Sequence, residues 1–442
     1  MCLFPCNKRS STVLKVYVPK LLSLFAILVL GFGSIKRLNL ALQATSGGDY
    51  TTHKKAIYDL VAGKNPYEWT LTSYANLEND PTNKGYAYFP GILYVNTFLY
   101  VFSVICTLIL KLDFNWCSPF FLLHLPGILA NLGVGIFLWW YLSKKDRLAA
   151  LFAVTAWMFN FYLVLKNSLA GFDSVPILFL LLALYHLEED DVLTGLFFAL
   201  SVLFKTFAVI TFPLFLFRSK KPLKFLTAGF ITAFAFSLPF MTNFQDFWTY
   251  IQGALLVHGD RFVQGRPFLY YISYYYSVEL FRIIPFGFYS LGSIFSGWIL
   301  ITANKLLQFV NNFCKEGKVK NLTGRLHIKN KFSIASLPFL SFYLLTPVLN
   351  RTYLLWGFPI FLIGVLRDST LKSEDSPFKG VSKLLLRQLI DNPTKEDFDV
   401  LSPPRTVPFN NWKFYLVTVL YWISCYWYLA QWKDGFHIWH PI

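Results

Sequence analysis

Charge is scarce in this chain. Asp, Glu, Lys and Arg make up 14% of its 442 residues, and hydrophobic side chains 55%. Soluble domains carry roughly a quarter charged residues, so the shortage excludes an ordinary soluble globular protein. Apolar runs recur along the whole length, and no stretch of soluble-domain size is left over. Cysteine is also sparse. Cys2, Cys6, Cys106, Cys117, Cys314 and Cys425 are scattered, with neither metal-ligand spacing nor a disulfide framework. The first apolar run follows a basic N-terminus but lacks a small-residue cleavage site before Ile35, Lys36 and Arg37. It therefore reads as a retained helix with a cytoplasmic N-terminus, not a signal peptide. Solenoid periods and low-complexity tracts are likewise missing.

The charge that is present is lopsided, at +16, and its placement is informative. Basic residues gather in short loops: Lys144, Lys145 and Arg147; Arg218, Lys220, Lys221 and Lys224; Lys315, Lys318, Lys320, Arg325, Lys329 and Lys331. That is the positive-inside pattern of membrane proteins. These loops lack the interleaved aromatics of a nucleic-acid platform, so no nucleic-acid partner is expected.

Apolar runs fall near 16–35, 89–111, 118–142, 148–165, 175–187, 192–204, 206–217, 225–240, 284–303, 332–346, 352–366 and 412–430. The fold expected is all-α, a polytopic transmembrane helical protein of about eleven to thirteen spans, with interfacial helices in an extracytoplasmic loop after the first. Alternation places 165–175, the turn near Lys205, 241–283 and 347–352 outside, and 188–191, 218–224, 304–331 and 367–410 inside. One parity problem arises. An odd number of crossings is needed between Tyr88 and Lys144, yet two runs are counted; either one lies in the interface or Pro126 splits the second. Residues 1–366 form the main module, with 39–88 and 241–283 as outer loops. A proline-bearing cytoplasmic segment, 367–410, and a last helix with an outer tail, 411–442, complete the chain.

The most telling stretch is 47–67, GGDYTTHKKAIYDLVAGKNPY, which sets Asp49 just after the first span. Helical spacing puts Tyr50, His53, Ile57, Leu60 and Val61 on one face and Lys55 and Asp59 on the other, as in a helix lying at an interface.

Asp49 after the first span, AGKNPY at 62–67 and GYAYFP at 85–90 together resemble the GT-C superfamily of integral-membrane glycosyltransferases, particularly the GT87-like polyprenol-phosphate-mannose-dependent mannosyltransferases. FKTFAVITFPLFLFR at 204–218, HGDRFVQGRPFLYYI at 258–272 and NRTYLLW at 350–356 are similar to later segments of that family. The chain departs from it at Thr206 and Phe89, where prolines are common, and at Gly47-Gly48-Asp49-Tyr50, which lacks a D-x-D pair. The resemblance implies inverting transfer of a hexose, mannose in most members, from a polyprenyl-phosphate donor to a lipid, glycan or protein acceptor. It demands no organic cofactor and leaves a divalent metal open. It also implies a multi-pass protein of a prokaryotic plasma membrane with its site facing outward, in contact with membrane lipids.

Such a reaction needs a general base for the acceptor hydroxyl and positive charge at the leaving phosphate. Asp49 is the expected base; the alternative is a helix cap, which suits Asp equally. Lys205, deep in apolar sequence, is a candidate phosphate ligand, against a lysine exposed in a hairpin turn or snorkelling to the interface. Arg351, in a short outer turn, offers a bidentate fork, and His258 and Arg261 share one face if helical. Asp173 is a second candidate carboxylate, although helix N-termini favour Asp in any case. Tyr88, with Tyr86, Trp69 and the aromatic run at 270–276, could stack on a sugar or belong to an interfacial belt. A transporter, a lipid flippase or a glycopolymer ligase would share the span count; the Asp49, NPY and YxYxP pattern argues for the transferase.

Overall fold

The computed structural model describes residues 8–43, 50–75, 85–112, 114–160, 171–257, 263–264, 286–313, 330–346, 353–368 and 438–439. Within these the chain is helical apart from one short antiparallel pairing, Val263–Gln264 with Ile438–Trp439. Helices α1 (Lys8–Gln43), α2 (Tyr50–Val61), α3 (Pro66–Ala75) and α4 (Pro90–Val104) come first. Next are α5 (Pro119–Ser143), α6 (Arg147–Met158), α7 (Ser174–His186), α8 (Asp191–Phe204) and α9 (Phe212–Arg218). The rest are α10 (Pro222–Ser237), α11 (Phe244–Ala254), α12 (Phe286–Phe313), α13 (Lys331–Leu345) and α14 (Leu354–Asp368).

Local chemistry sets several of these boundaries. Asp146 accepts from the Leu148 and Ala149 amides at the start of α6, and Asp190 from Val192 and Leu193 at the start of α8. Ser118 and Asn330 cap α5 and α13 in the same way. Pro126 does not split α5, which runs unbroken for 25 residues. The apolar run at 206–217, by contrast, is not one helix. Thr206–Thr211 winds as a 3-10 segment, and α9 begins only at Phe212, where Pro213 occupies a first-turn position that needs no amide donor.

Four helices among the described residues are long and apolar enough to cross a membrane: Tyr17–Gln43, Pro90–Ile109, Pro119–Ser143 and Pro222–Phe240. Leu24, Ile27 and Phe32 on α1, and Phe230 and Ile231 on α10, point outward from the bundle, as suits hydrocarbon rather than water. Helices of 12–15 residues, such as α6, α7, α8, α13 and α14, form the core. At 1.5 Å per residue they reach only about 18–22 Å, short of the ~30 Å hydrocarbon layer.

Several basic turns share contacts among the described residues. At one end Arg218 pairs with Glu188 at 2.7 Å, Asp191 accepts from the Lys220 and Lys221 amides, and Lys331 donates to the Tyr185 and Leu187 carbonyls. Lys144 joins them through Trp140, which packs 4.9 Å from Tyr185. At the other end lie Tyr88, Asp173, Lys205 and Tyr353.

Helix α4 is held near both ends. Gly91 abuts the Leu203 carbonyl at the end of α8, and Ser103 donates to the Cys117 carbonyl just before α5 at 2.7 Å. The start of α5 packs in turn beside Leu38 and Ala41, in the last turns of α1. Length and composition make Pro90–Ile109 a candidate span, yet both its ends lie away from the basic turns.

Candidate functional site

The site is built where α7 begins, α8 ends and the segment before α4 turns inward. Lys205 adopts an extended backbone (φ −161°, ψ 132°) between α8 and the 3-10 segment, so its side chain leaves the helix stack. Its ammonium forms an ion pair with Asp173, 32 residues earlier, and the two side chains are only 13% and 5% exposed. Asp173 occupies the N-cap position of α7 but makes no capping hydrogen bond, unlike Asp146 and Asp190. Its carboxylate instead accepts from Lys205 and from Trp356 Nε1 at 2.9 Å. Asp173 thus stands at a helix N-terminus without capping it, and the exposed-hairpin alternative for Lys205 fails, since its side chain is only 13% exposed.

Aromatic rings enclose the pair. Lys205 Nζ lies 5.7 Å from the Tyr88 ring, 5.3 Å from Phe172 and 5.5 Å from Trp356, within cation–π range. Trp356 is held between Phe207 (4.4 Å) and Tyr353 (4.0 Å). Tyr343 fixes this start of α14 by donating to the Tyr353 carbonyl and accepting from the Gly357 amide. Ser201 donates to the Pro176 carbonyl, locking α7 to α8 one turn below the ion pair.

Above the pair stands a scaffold built from 50–75 and 85–90. The inward stripe of α2 is His53, Ala56 and Ile57, all buried, with Leu60 half-buried, while Lys55 and Asp59 pair on the outer face at 3.0 Å. Val61, expected on the buried face, is 60% exposed because it lies past that stripe in the last turn. His53 stacks on Tyr88 at 5.9 Å and meets Phe172 and Tyr86 edge-on. The Asn96 side-chain amide lies 3.1 Å from His53 Nδ1, which ties α2 to α4.

The Asn-Pro-Tyr and YxYxP elements meet here. Tyr67 donates to the Tyr88 carbonyl at 2.8 Å, and Thr70 Oγ1 bonds both the carbonyl and the amide of Tyr86. Gly85 makes this possible with φ +62°, where an added Cβ would meet the Thr70 backbone. Burial pushes the Tyr67 and Tyr86 hydroxyls well above their ordinary range, so both stay protonated donors. Tyr86 is fully buried and donates to the Phe89 carbonyl, so it supports the site and has no face for a sugar. Trp69 is covered by Lys55, whose Nζ lies 5.1 Å from its ring.

Of the residues singled out in sequence, Lys205, Asp173 and Tyr88 come together. Asp49, His258, Arg261 and Arg351 lie outside the described residues, as does the aromatic run at 270–276. Described neighbours in sequence are Tyr50, which opens α2, Val257, which packs with Tyr74 and Ala87, and Tyr353, which stacks on Trp356. Sequence reasoning missed Trp356, Phe172, Phe207, His53 and Asn96 as site residues. Trp356 was visible in NRTYLLW, but one of thirteen tryptophans carries no sign of its carboxylate partner. Among the described residues no group of three or more His, Cys, Asp or Glu side chains is arranged to hold a metal ion. No protein-family model matches the chain, and no curated protein is detectably similar to it.

Proposed function

We propose that this chain is a multi-pass membrane glycosyltransferase of the GT-C type, moving a hexose, mannose in the first instance, from a polyprenyl-phosphate donor to a lipid, glycan or protein acceptor. The observation that carries the reading is the enclosed Lys205–Asp173–Trp356 cluster beneath Tyr88. An ammonium has three N–H donors, and Asp173 is the only hydrogen-bond acceptor of Lys205 among the described residues. The remaining donors can meet a phosphate while Asp173 and the rings hold the ammonium in place.

In this reading Tyr88, Phe172 and Trp356 supply faces for a sugar or prenyl group, and the low dielectric strengthens charge stabilisation of the leaving phosphate. Arg351, His258 and Arg261 add the positive charge that the neutral Lys205–Asp173 pair lacks. Asp49, one residue before α2, takes the acceptor proton as the anomeric centre inverts. A metal is not required for this division of labour. The end bearing Lys205 faces outside and the basic turns face the cytoplasm, following the positive-inside rule. Helix α4 then lies wholly on the outer side and leaves an odd number of crossings before Lys144. The membrane assigned is a prokaryotic plasma membrane.

The test is transfer by the purified full-length protein from polyprenyl-phosphate [14C]mannose to extracted membrane glycolipids, with the anomeric configuration of product read by linkage-specific glycosidases. Inverted product from the lipid donor supports the reading. Transfer from a soluble nucleotide sugar alone, or none with any polyprenyl-phosphate hexose, contradicts it.

A further inference from the structure

A second charged site lies at the opposite end of the bundle, among the basic turns and away from the Lys205 cluster. There α9, α12 and α13 leave a half-open cavity lined by Leu214, Phe217, Arg218, Asn304, Lys305 and Ile334. Its polar wall is cationic. Lys305 is exposed, makes no ion pair with a carboxylate among the described residues, and rests its ammonium 4.3 Å from the Phe217 ring. Arg218 meets Glu188 at 2.7 Å and brings a guanidinium to the same lining. Asn304 is 7% exposed and brings an amide into the same lining.

The surroundings define what could fill it. Leu214, Phe217 and Ile334 are apolar, and Ile299, Leu306 and Phe309 on α12 are exposed, at 67%, 63% and 65%. A ligand that suits both parts has an anionic head and a hydrocarbon body. Basic pockets between membrane helices on the positive side are suited to lipid phosphates, and the arginine fork and lysine point charge both match phosphate oxygens. We infer that this cavity binds the phosphate headgroup of an anionic phospholipid from the leaflet at the basic end, its chains lying along α12. The inference requires only that the bundle sits in a membrane. It is independent of the transfer reaction.

The experiment measures binding of phosphatidylglycerol and phosphatidylcholine to the full chain in detergent by native mass spectrometry, with inorganic phosphate as a separate arm. Phosphatidylglycerol should bind in preference to phosphatidylcholine, and Lys305→Gln should weaken it about fivefold, the order expected for one basic residue at a lipid headgroup. Lys305→Arg should restore binding. Lys224→Gln, which removes a charge at the same end but outside the cavity, should leave binding within about twofold of wild type. Equal losses for Lys224→Gln and Lys305→Gln reduce the effect to general surface attraction and overturn the site. Unchanged binding in Lys305→Gln overturns it too. Inorganic phosphate that abolishes lipid binding at micromolar concentration identifies a soluble anion as the ligand and overturns the lipid assignment.

Discussion

Replacing Asp173 by Asn removes a charge from the site while keeping an oxygen for Trp356 Nε1. In the wild type the Asp173 carboxylate neutralises Lys205 in a setting where the two side chains are 5% and 13% exposed. Breaking such a buried pair on one side typically costs about 3–5 kcal/mol, because an uncompensated charge remains. The faces of Tyr88, Phe172 and Trp356, all within 5.7 Å of Lys205 Nζ, offset part of that, at ~0.5–1 kcal/mol each. Asp173→Asn is thus expected to lose about 2 kcal/mol of stability. Lys205→Met strands the carboxylate and should lose a similar amount. The double variant leaves no charge behind, and exchange of a whole buried pair for neutral groups is often close to neutral. The assay is thermal unfolding of all four proteins in detergent, treated as a double-mutant cycle. The double variant should melt above either single variant. If it melts lower than both, by the sum of their losses, Lys205 and Asp173 do not depend on each other and the site as described is wrong.

Three further outcomes follow from the scaffold. Gly85→Ala should destabilise by about 1–3 kcal/mol, because it strains a positive φ and drives a Cβ to 2.5 Å from the Thr70 Cα; a melting temperature equal to wild type would refute the turn. Tyr67 keeps its proton in the fold well above pH 10, so its contribution is complete below that pH and declines above it, as tyrosines of the unfolded chain ionise; Tyr67→Phe should lose ~1 kcal/mol at neutral pH and show a shallower alkaline decline, and an identical alkaline slope would count against the buried hydroxyl. In a background without native cysteines, Lys64→Cys and Gln245→Cys, at exposed positions, should react with an impermeant thiol reagent from one side of the membrane and Lys221→Cys from the other; labelling of Lys64→Cys and Gln245→Cys from opposite sides would refute the proposed orientation.

The sequence made the helices legible because hydrocarbon and the 3.6-residue period act locally. The runs read near 175–187 and 192–204 coincide with α7 and α8 within a residue or so, and the inward stripe of α2 carries His53, Ile57 and Leu60 as spaced. What was hidden depends on long-range approach. Lys205 and Asp173 are 32 positions apart, and Trp356 is 183 from its acceptor, so no periodicity links them. Asp at a helix N-terminus is common, so only the partners of Asp173 distinguish it from Asp146 and Asp190, which cap. Length cannot fix the course of Pro90–Ile109 either, because twenty apolar residues satisfy a span whether or not they cross.

The most direct measurement is the rate at which purified Asp49→Asn transfers hexose from a polyprenyl-phosphate donor, alongside its affinity for that donor. Asn keeps the shape of Asp and caps a helix about as well, but it cannot accept the acceptor proton. The account predicts donor binding near that of wild type and turnover lower by about 100-fold or more, the usual contribution of general-base catalysis. A variant that binds donor and transfers at the wild-type rate would return Asp49 to a structural role and contradict the mechanism.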